Sequence, residues 1–155
     1  MLAQGVIANV LRNRSGVFEY LYLRRSGGKF EGQWWPVAGT CTTDEPAIDA
    51  LLRELKEETG LSPNKVFDLG LTIPHDDGKS TLLGYVVYVG PDDIVELNYE
   101  HDAYAWLSKD EVLNRLPETV HPLILYINDN FVAKAPSIEK LVWSAPQQDR
   151  GNHEV

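Results

Sequence analysis

Short runs rich in β-branched and aromatic residues mark strands in this chain, and apolar residues spaced three and four apart mark helices. Residues 4–12 and 17–24 carry Val6, Ile7, Val10, Phe18, Tyr20, Leu21, Tyr22 and Leu23 on either side of Asn13, Ser15 and Gly16, which predicts two strands joined by a hairpin-like turn. Residues 24–33 mix charge with Gly27, Gly28 and Gly32 and read as a surface loop. Trp34, Trp35, Pro36 and Val37 then lead into Ala38 and Gly39, whose small size lets backbone come close to a bound molecule. In the stretch 39–61, GTCTTDEPAIDALLRELKEETGL, Asp44 or Glu45 is placed to cap a helix, Pro46 suits its first turn, and Gly60 followed by Pro63 stops it.

At about 100° per residue, Ile48, Leu51, Leu52 and Leu55 share an arc of roughly 100°, while Glu54, Glu57 and Glu58 fill a second arc centred about 120° away. Residues 66–73 and 81–89 predict two more strands around a turn at His75, Asp76, Asp77 and Gly78. Residues 90–102 are polar and irregular, and 103–107 predict a short strand. Ser108 with Glu111 is a capping box for a helix ending near Leu116, ahead of Pro117. Leu123, Ile124, Ile127 and Phe131 predict a last helix over 121–131, and from Ser144 onward there is little to bury. The expectation is one α/β domain over 1–143 and a loose tail over 144–155.

Size and charge narrow this further. A chain of 155 residues that is 43% hydrophobic supports one sizeable core. A net charge of -9, from 14 Lys+Arg against 23 Asp+Glu, argues against a surface built for nucleic-acid phosphates or anionic lipid, and an anionic substrate would need metal ions as intermediaries. Cys41 is the only cysteine, so no internal disulfide forms. The opening MLAQGVIANVLRNRSG has no basic region before a long apolar run, and no later segment approaches transmembrane length, so a soluble, cytoplasmic protein is expected.

The carboxylate arc is where chemistry enters. Like charges at i, i+3 and i+4 repel, so the arc is either a widely solvated acidic face or a site that a cation neutralises. Arg53 sits beside Glu57 and can orient it, and the small-residue turn before the helix offers backbone carbonyls as further ligands. Hard oxygen donors suit Mg²⁺ or Mn²⁺, which share their shells with water and substrate phosphates.

The spacing itself resembles a known family. Gly39, Glu45, Arg53, Glu54, Leu55, Glu57, Glu58, Gly60 and Leu61 fill the pattern Gly, five residues, Glu, seven residues, Arg-Glu-apolar-any-Glu-Glu-any-Gly-apolar, which is similar to the Nudix box. The resemblance implies an α/β/α sandwich with a mixed sheet, and Mg²⁺-dependent (or Mn²⁺-dependent) hydrolysis of a diphosphate bond in a nucleoside diphosphate derivative. By similarity, Glu54, Glu57 and Glu58 would hold the metal, with a carbonyl of Ala38 or Gly39 completing its shell. Arg53 and Glu45 would support loop and helix, and the family leaves the general base open between candidates Glu57 and Glu100. Such metals clamp diphosphate oxygens and acidify a water.

A second segment, Glu100-His101-Asp102-Ala103-Tyr104-Ala105-Trp106-Leu107, resembles bacterial dihydroneopterin triphosphate pyrophosphohydrolases, which also accept nucleoside triphosphates such as dATP. The resemblance implies Glu100 as a metal ligand and release of a monophosphate with pyrophosphate; the plainer alternative is a surface glutamate before a core strand carrying Trp106. The usual Pro-Gly-Gly ahead of the box is Pro36, Val37, Ala38, Gly39 here, which leaves the first glycine's role to Ala38. A proline typical of ADP-ribose hydrolases is replaced by Asp76, and a tyrosine typical of the dinucleoside polyphosphate group falls at residues 77–79 and is absent, which favours a triphosphate. Three readings stay open: a hydrolase, whether of a triphosphate, ADP-ribose or a dinucleoside polyphosphate; a non-catalytic nucleotide sensor; and a plain α/β domain with an acidic helix.

Trp34, Trp35 and Phe30 are candidates to stack a purine or pterin ring, although strand alternation sends one of the adjacent tryptophans into the core. Arg24, Arg25 and Lys29 are candidates for phosphate. His75, His101 and His121 lack any dyad or zinc spacing and read as structural or surface residues, and Cys41 as a small filler. The expected partner is a small phosphorylated molecule, with a homodimer also compatible.

Overall fold

In the computed structural model the described residues are 4–74 and 81–146, with Gln4 by its backbone alone; the turn expected at His75 to Gly78 lies outside them. The elements follow as β1 (Gln4–Arg14), β2 (Val17–Arg25), β3 (Trp34–Trp35), β4 (Val37–Thr40), α1 (Ala47–Thr59), β5 (Lys65–Pro74), β6 (Thr81–Tyr88), β7 (His101–Leu107), α2 (Lys109–Arg115), α3 (His121–Ile127) and β8 (Leu141–Ser144). The strands form one mixed sheet ordered β3-β2-β1-β6-β5-β8, with β4 also pairing β1 and β7 pairing β2. At its centre β1 runs parallel to β6, from Gln4 opposite Thr81 to Leu11 opposite Tyr88. Its other edge is shared: Gly5 to Ala8 pair antiparallel with β4, and Leu11 to Arg14 with β2.

Alternation along these strands feeds two cores, one on each face of the sheet. Val6, Ala8 and Val10 of β1 and Leu21 and Leu23 of β2 meet Ala50, Leu51 and Leu55 of α1 on one side. Leu11, Tyr20 and Tyr22 meet Val112 of α2 and Ile124, Ile127 and Phe131 on the other. The result is an α/β/α sandwich with β1 covered from both sides, so its residues 5–12 are buried without interruption, Asn9 and Arg12 included.

Several boundaries depart from the sequence expectation. Helix α1 begins after Pro46, which makes no side-chain cap; neither Asp44 nor Glu45 caps it, because Glu45 is engaged elsewhere and Asp44 takes a left-handed φ of 64°. Its far end is as expected, with Gly60 at φ 73° donating its N–H to the Lys56 carbonyl. The last helix is α-helical only through Ile127; over Asn128–Val132 the bonding widens to the π pattern, and this turn still buries Phe131, whose carbonyl accepts from the Tyr88 hydroxyl at 2.7 Å. Strand β7 starts at His101, two residues before the predicted Ala103. Ser144 belongs to β8, which pairs with β5, and the Ala145 N–H bonds to the Asn64 carbonyl, so the chain leaves the sheet later than the expected tail start. Four residues, two half-buried and two exposed, are too few to declare this edge strand in advance. Among the described residues no helix is long and apolar enough to cross a membrane.

Leu55 is fully buried between α1 and the sheet. Leu55→Ala is expected to cost about 2–5 kcal/mol, read from the urea midpoint at unchanged slope, and a loss below about 1 kcal/mol would contradict this packing.

Candidate metal centre

The acidic arc of α1 does not act as one array. Glu54 leans over β4, so close that a Cβ added at Gly39 would run into the Glu54 carboxyl group. Glu58, one turn later, is 3% exposed and reaches toward His101 at the start of β7. Glu57, on the same predicted arc, is instead half-exposed, with its carboxylate 3.5 Å from Arg53.

Arg53 fixes the loop that leads into the helix. Its Nε and Nη2 donate to the two oxygens of Glu45, both at 2.9 Å, and Nη2 also donates to the Thr40 carbonyl. Glu45 in turn accepts from the backbone N–H and hydroxyl of Thr42. The bidentate pair holds the Glu45 carboxyl far below the usual range, at about 2, chiefly through Arg53 and next through the Thr42 N–H. Arg53 Nη1 lies 3.2 Å from Glu54, so the same guanidinium touches loop and helix at once.

A cleft of about 320 Å³ opens between these parts. Ala38, Gly39 and Thr40 of β4 line it, as do Glu54 and Glu58 of α1 and Glu100 ahead of β7; Phe30, Gln33, Trp35 and Arg25 supply the remaining wall. Glu100 is steadied by Asn98, whose amide donates to its Oε1 at 3.2 Å, and by its own carbonyl, which accepts from the Ser26 N–H. Arg25 points into the cleft because the β2–β7 register shifts between Arg24 and Arg25, a bulge that re-aims the second side chain.

Burial without partners is the mark of this site. The Glu58 Oε1, His101 Nδ1 and Arg25 Nε atoms are all buried and make no hydrogen bond. Burial, then the nearby Glu54 carboxylate, then Glu100, drive the Glu58 carboxyl well above the usual range, with Arg25 opposing. Burial, and after it Arg25, lower the His101 pKa. No three acidic, histidine or cysteine side chains among the described residues converge on one point as they stand, and the Glu57 carboxylate is turned to Arg53. The donors are nonetheless all hard oxygens, and an orphaned carboxylate oxygen crowded by two others fits a divalent cation.

The predicted site residues therefore separate. Glu54, Glu58, Glu100, Ala38, Gly39, Phe30 and Trp35 share the cleft. Arg24 does not; its Nε pairs with Asp102 at 2.7 Å, and the guanidinium lies over the Trp34 ring. Neither tryptophan is fully buried, but both pack against the second core: Trp35 also lines the cleft, and Trp34 lies half-buried beneath Arg24. Lys29 sits over the Phe30 ring, outside the cleft lining. His121 is near the Leu116 carbonyl at 3.2 Å, whereas His101, read as merely structural or surface, faces a site carboxylate. The Cys41 thiol is pushed up by burial and then by Glu45, which keeps it protonated at neutral pH. Thr40, Gln33 and Leu82 also line the cleft; the first two carry no sequence signal beyond proximity to the box, and Leu82, in β6, carries none.

The fold is shared with solved structures. The fold superposes on a Caenorhabditis elegans Ap4A hydrolase binary complex with a TM-score of 0.71 at 20% identity, covering 85% of this chain and 98% of that one. It matches the NUDIX domain of Shewanella oneidensis NrtR complexed with ADP ribose equally well, with a TM-score of 0.71 at 20% identity, covering 83% and 88%. The NUDIX domain pattern covers residues 1–126, and the chain belongs to the Nudix family. In sequence it is 34% identical over 115 residues to an octanoyltransferase of Myxococcus xanthus, covering 70% of this chain and 31% of that protein. It is 30% identical over 99 residues to the asymmetrical bis(5'-nucleosyl)-tetraphosphatase of Rattus norvegicus, covering 60% and 66%. The chain thus spans under a third of the first relative's length and just under two thirds of the second's.

Two outcomes follow from this geometry. A carboxyl whose folded pKa is depressed stabilises the fold above its ordinary value of 4.5, and that contribution fades as pH falls through about 2. Glu45→Gln should therefore lower the melting temperature at neutral pH, with the gap to wild type closing in acid; a gap independent of pH would show that charge plays no part. Gly39→Ala must displace Glu54, and divalent-cation affinity measured by calorimetry should fall by roughly tenfold or more with the circular dichroism spectrum preserved. Unchanged affinity would contradict the close approach.

Proposed function

We propose that this chain is a divalent-metal-dependent hydrolase that cleaves a diphosphate bond in a nucleoside polyphosphate. The observation that carries the reading is that Glu54, Glu58 and Glu100 line one cleft together with Gly39, with the Glu58 Oε1 buried and unpartnered. Mg²⁺ or Mn²⁺ held by these carboxylates and a β4 carbonyl, joined by Glu57, would supply positive charge against the phosphate oxygens and acidify a water. Arg53 keeps the loop and helix in register, Arg25 meets phosphate charge from the cleft wall, and Trp35 and Phe30 offer faces for a base or pterin ring. Glu100, which lines the cleft, and Glu57, half-exposed beside Arg53, are the candidate proton acceptors.

For the substrate, the Glu100 to Leu107 segment and the missing markers near residues 76–79 support a nucleoside triphosphate or dihydroneopterin triphosphate, cleaved to monophosphate and pyrophosphate. A second reading, a dinucleoside tetraphosphate, is favoured by the likeness to the Rattus norvegicus tetraphosphatase. A panel of nucleoside triphosphates, dihydroneopterin triphosphate, dinucleoside polyphosphates and ADP-ribose with Mg²⁺, its products identified by mass, tests both. Turnover should be confined to polyphosphates and abolished in Glu57→Gln and Glu58→Gln. Near-normal rates in both variants would sink the assignment, and turnover of ADP-ribose alone would replace the substrate class.

A further inference from the structure

Nδ1 of His101 and Oε1 of Glu58 face each other at 3.9 Å, both buried, and neither has a hydrogen-bond partner. Their side chains are 6% and 4% exposed, so solvent does not substitute. An ordinary N–H to carboxylate bond spans about 2.7–3.2 Å, so the pair stands roughly 1 Å from contact. Buried polar groups this close are rarely left apart in a functioning state. The histidine cannot drift freely, since its backbone is paired with Arg25 at the bulge that ends β2, and Glu58 is anchored in the last turn of α1, where the Gly60 cap ends the helix. Arg25 lines the same cleft, with its Nε also unpartnered. The helix and the β2–β7 ladder thus approach each other through these three side chains.

We propose that His101 is a positioning residue for Glu58: its Nδ1–H donates to Oε1 and fixes the carboxylate orientation, leaving the other oxygen for a divalent cation. This rests on the reading of the cleft as a metal site. Carboxylate ligands held by a hydrogen bond from behind bind more tightly because their rotamer is set in advance, and loss of such a partner costs about 10–100-fold in metal affinity. The segment following Glu100 therefore serves the site twice, once through a carboxylate in the cleft and once through an imidazole behind it.

The test is Mn²⁺ affinity of the full chain, measured by electron paramagnetic resonance and calorimetry. His101→Asn places an amide N–H near the position of Nδ1, His101→Gln moves it one carbon further, and His101→Leu removes it at similar volume. Roughly 10–100-fold weaker binding is expected for the Leu variant, with the Asn variant near wild type and the Gln variant between. In a Glu58→Gln background the His101→Leu change should have little further effect. If His101→Leu does not fold, the contrast between Asn and Gln still decides. Equal affinity in all variants, or equal loss in Asn and Leu, overturns the positioning role and leaves a space-filling one. Failure of the wild-type chain to bind Mn²⁺ overturns the metal reading itself, a separate result.

Discussion

Helix α1 can lie over strand β4 only because residue 39 has no side chain. Glu54 occupies the volume a methyl group would take there, and Gly5 of β1, whose register partner is Thr40, is hemmed in by the Leu82 side chain and by the Gly39 carbonyl, the latter 2.8 Å from where its own Cβ would stand. Gly39 thus lets helix and sheet approach to carboxylate-on-backbone distance, and Gly5 gives the β4 backbone and Leu82 room beside it. The Arg53–Glu45 fork then ties the intervening loop to the helix that carries Glu54 and Glu58. The unusual Val37-Ala38 pair ahead of Gly39 is compatible with this, because the close approach falls on Gly39 and not on Ala38.

Such a site opposes the fold that carries it. Three carboxylates around one cleft, in a chain of net charge -9, repel one another, and burial of Glu58 adds desolvation. Hydrophobic layers on both faces of the sheet supply the compensating stability, and Arg53 and Arg25 supply the nearby cationic charge. Local rules broken at one place and compensated elsewhere are what a functional cleft looks like in a sequence that otherwise follows pattern.

Much of this was legible in the order of residues. The strands of the two cores, the leucine stripe of α1, its Gly60 stop and the Ser108–Glu111 box depend on local periodicity and local capping, and all are found where pattern puts them. What pattern could not reach depends on distant partners. The role of Glu45 is set by Arg53 eight residues on and not by the helix it precedes. Arg25 rather than Arg24 enters the cleft because of a bulge against β7, a strand some eighty residues later. Whether His101 is surface or site depends on α1 meeting β7, and no spacing in the chain records that. Strand β8 is four residues at an edge, below the length at which alternation is informative.

The topology of β1 has a kinetic meaning. Its pairing with β4 and β2 closes loops of a few tens of residues or fewer, but its parallel pairing with β6 sets Asn9 opposite Val86, and the Asn9 side-chain amide donates to the Tyr85 carbonyl 76 residues away. Loop-closure entropy is lost before such contacts give anything back, and chains dominated by them fold slowly. The segment 39–61 emerges from synthesis long before its supporting neighbour strand is complete. Until β6 docks, the acidic helix has a floor of β4 without a finished sheet beneath it. Assembly of the cleft is in this sense a late event, timed by a strand that contributes only Leu82 to its lining.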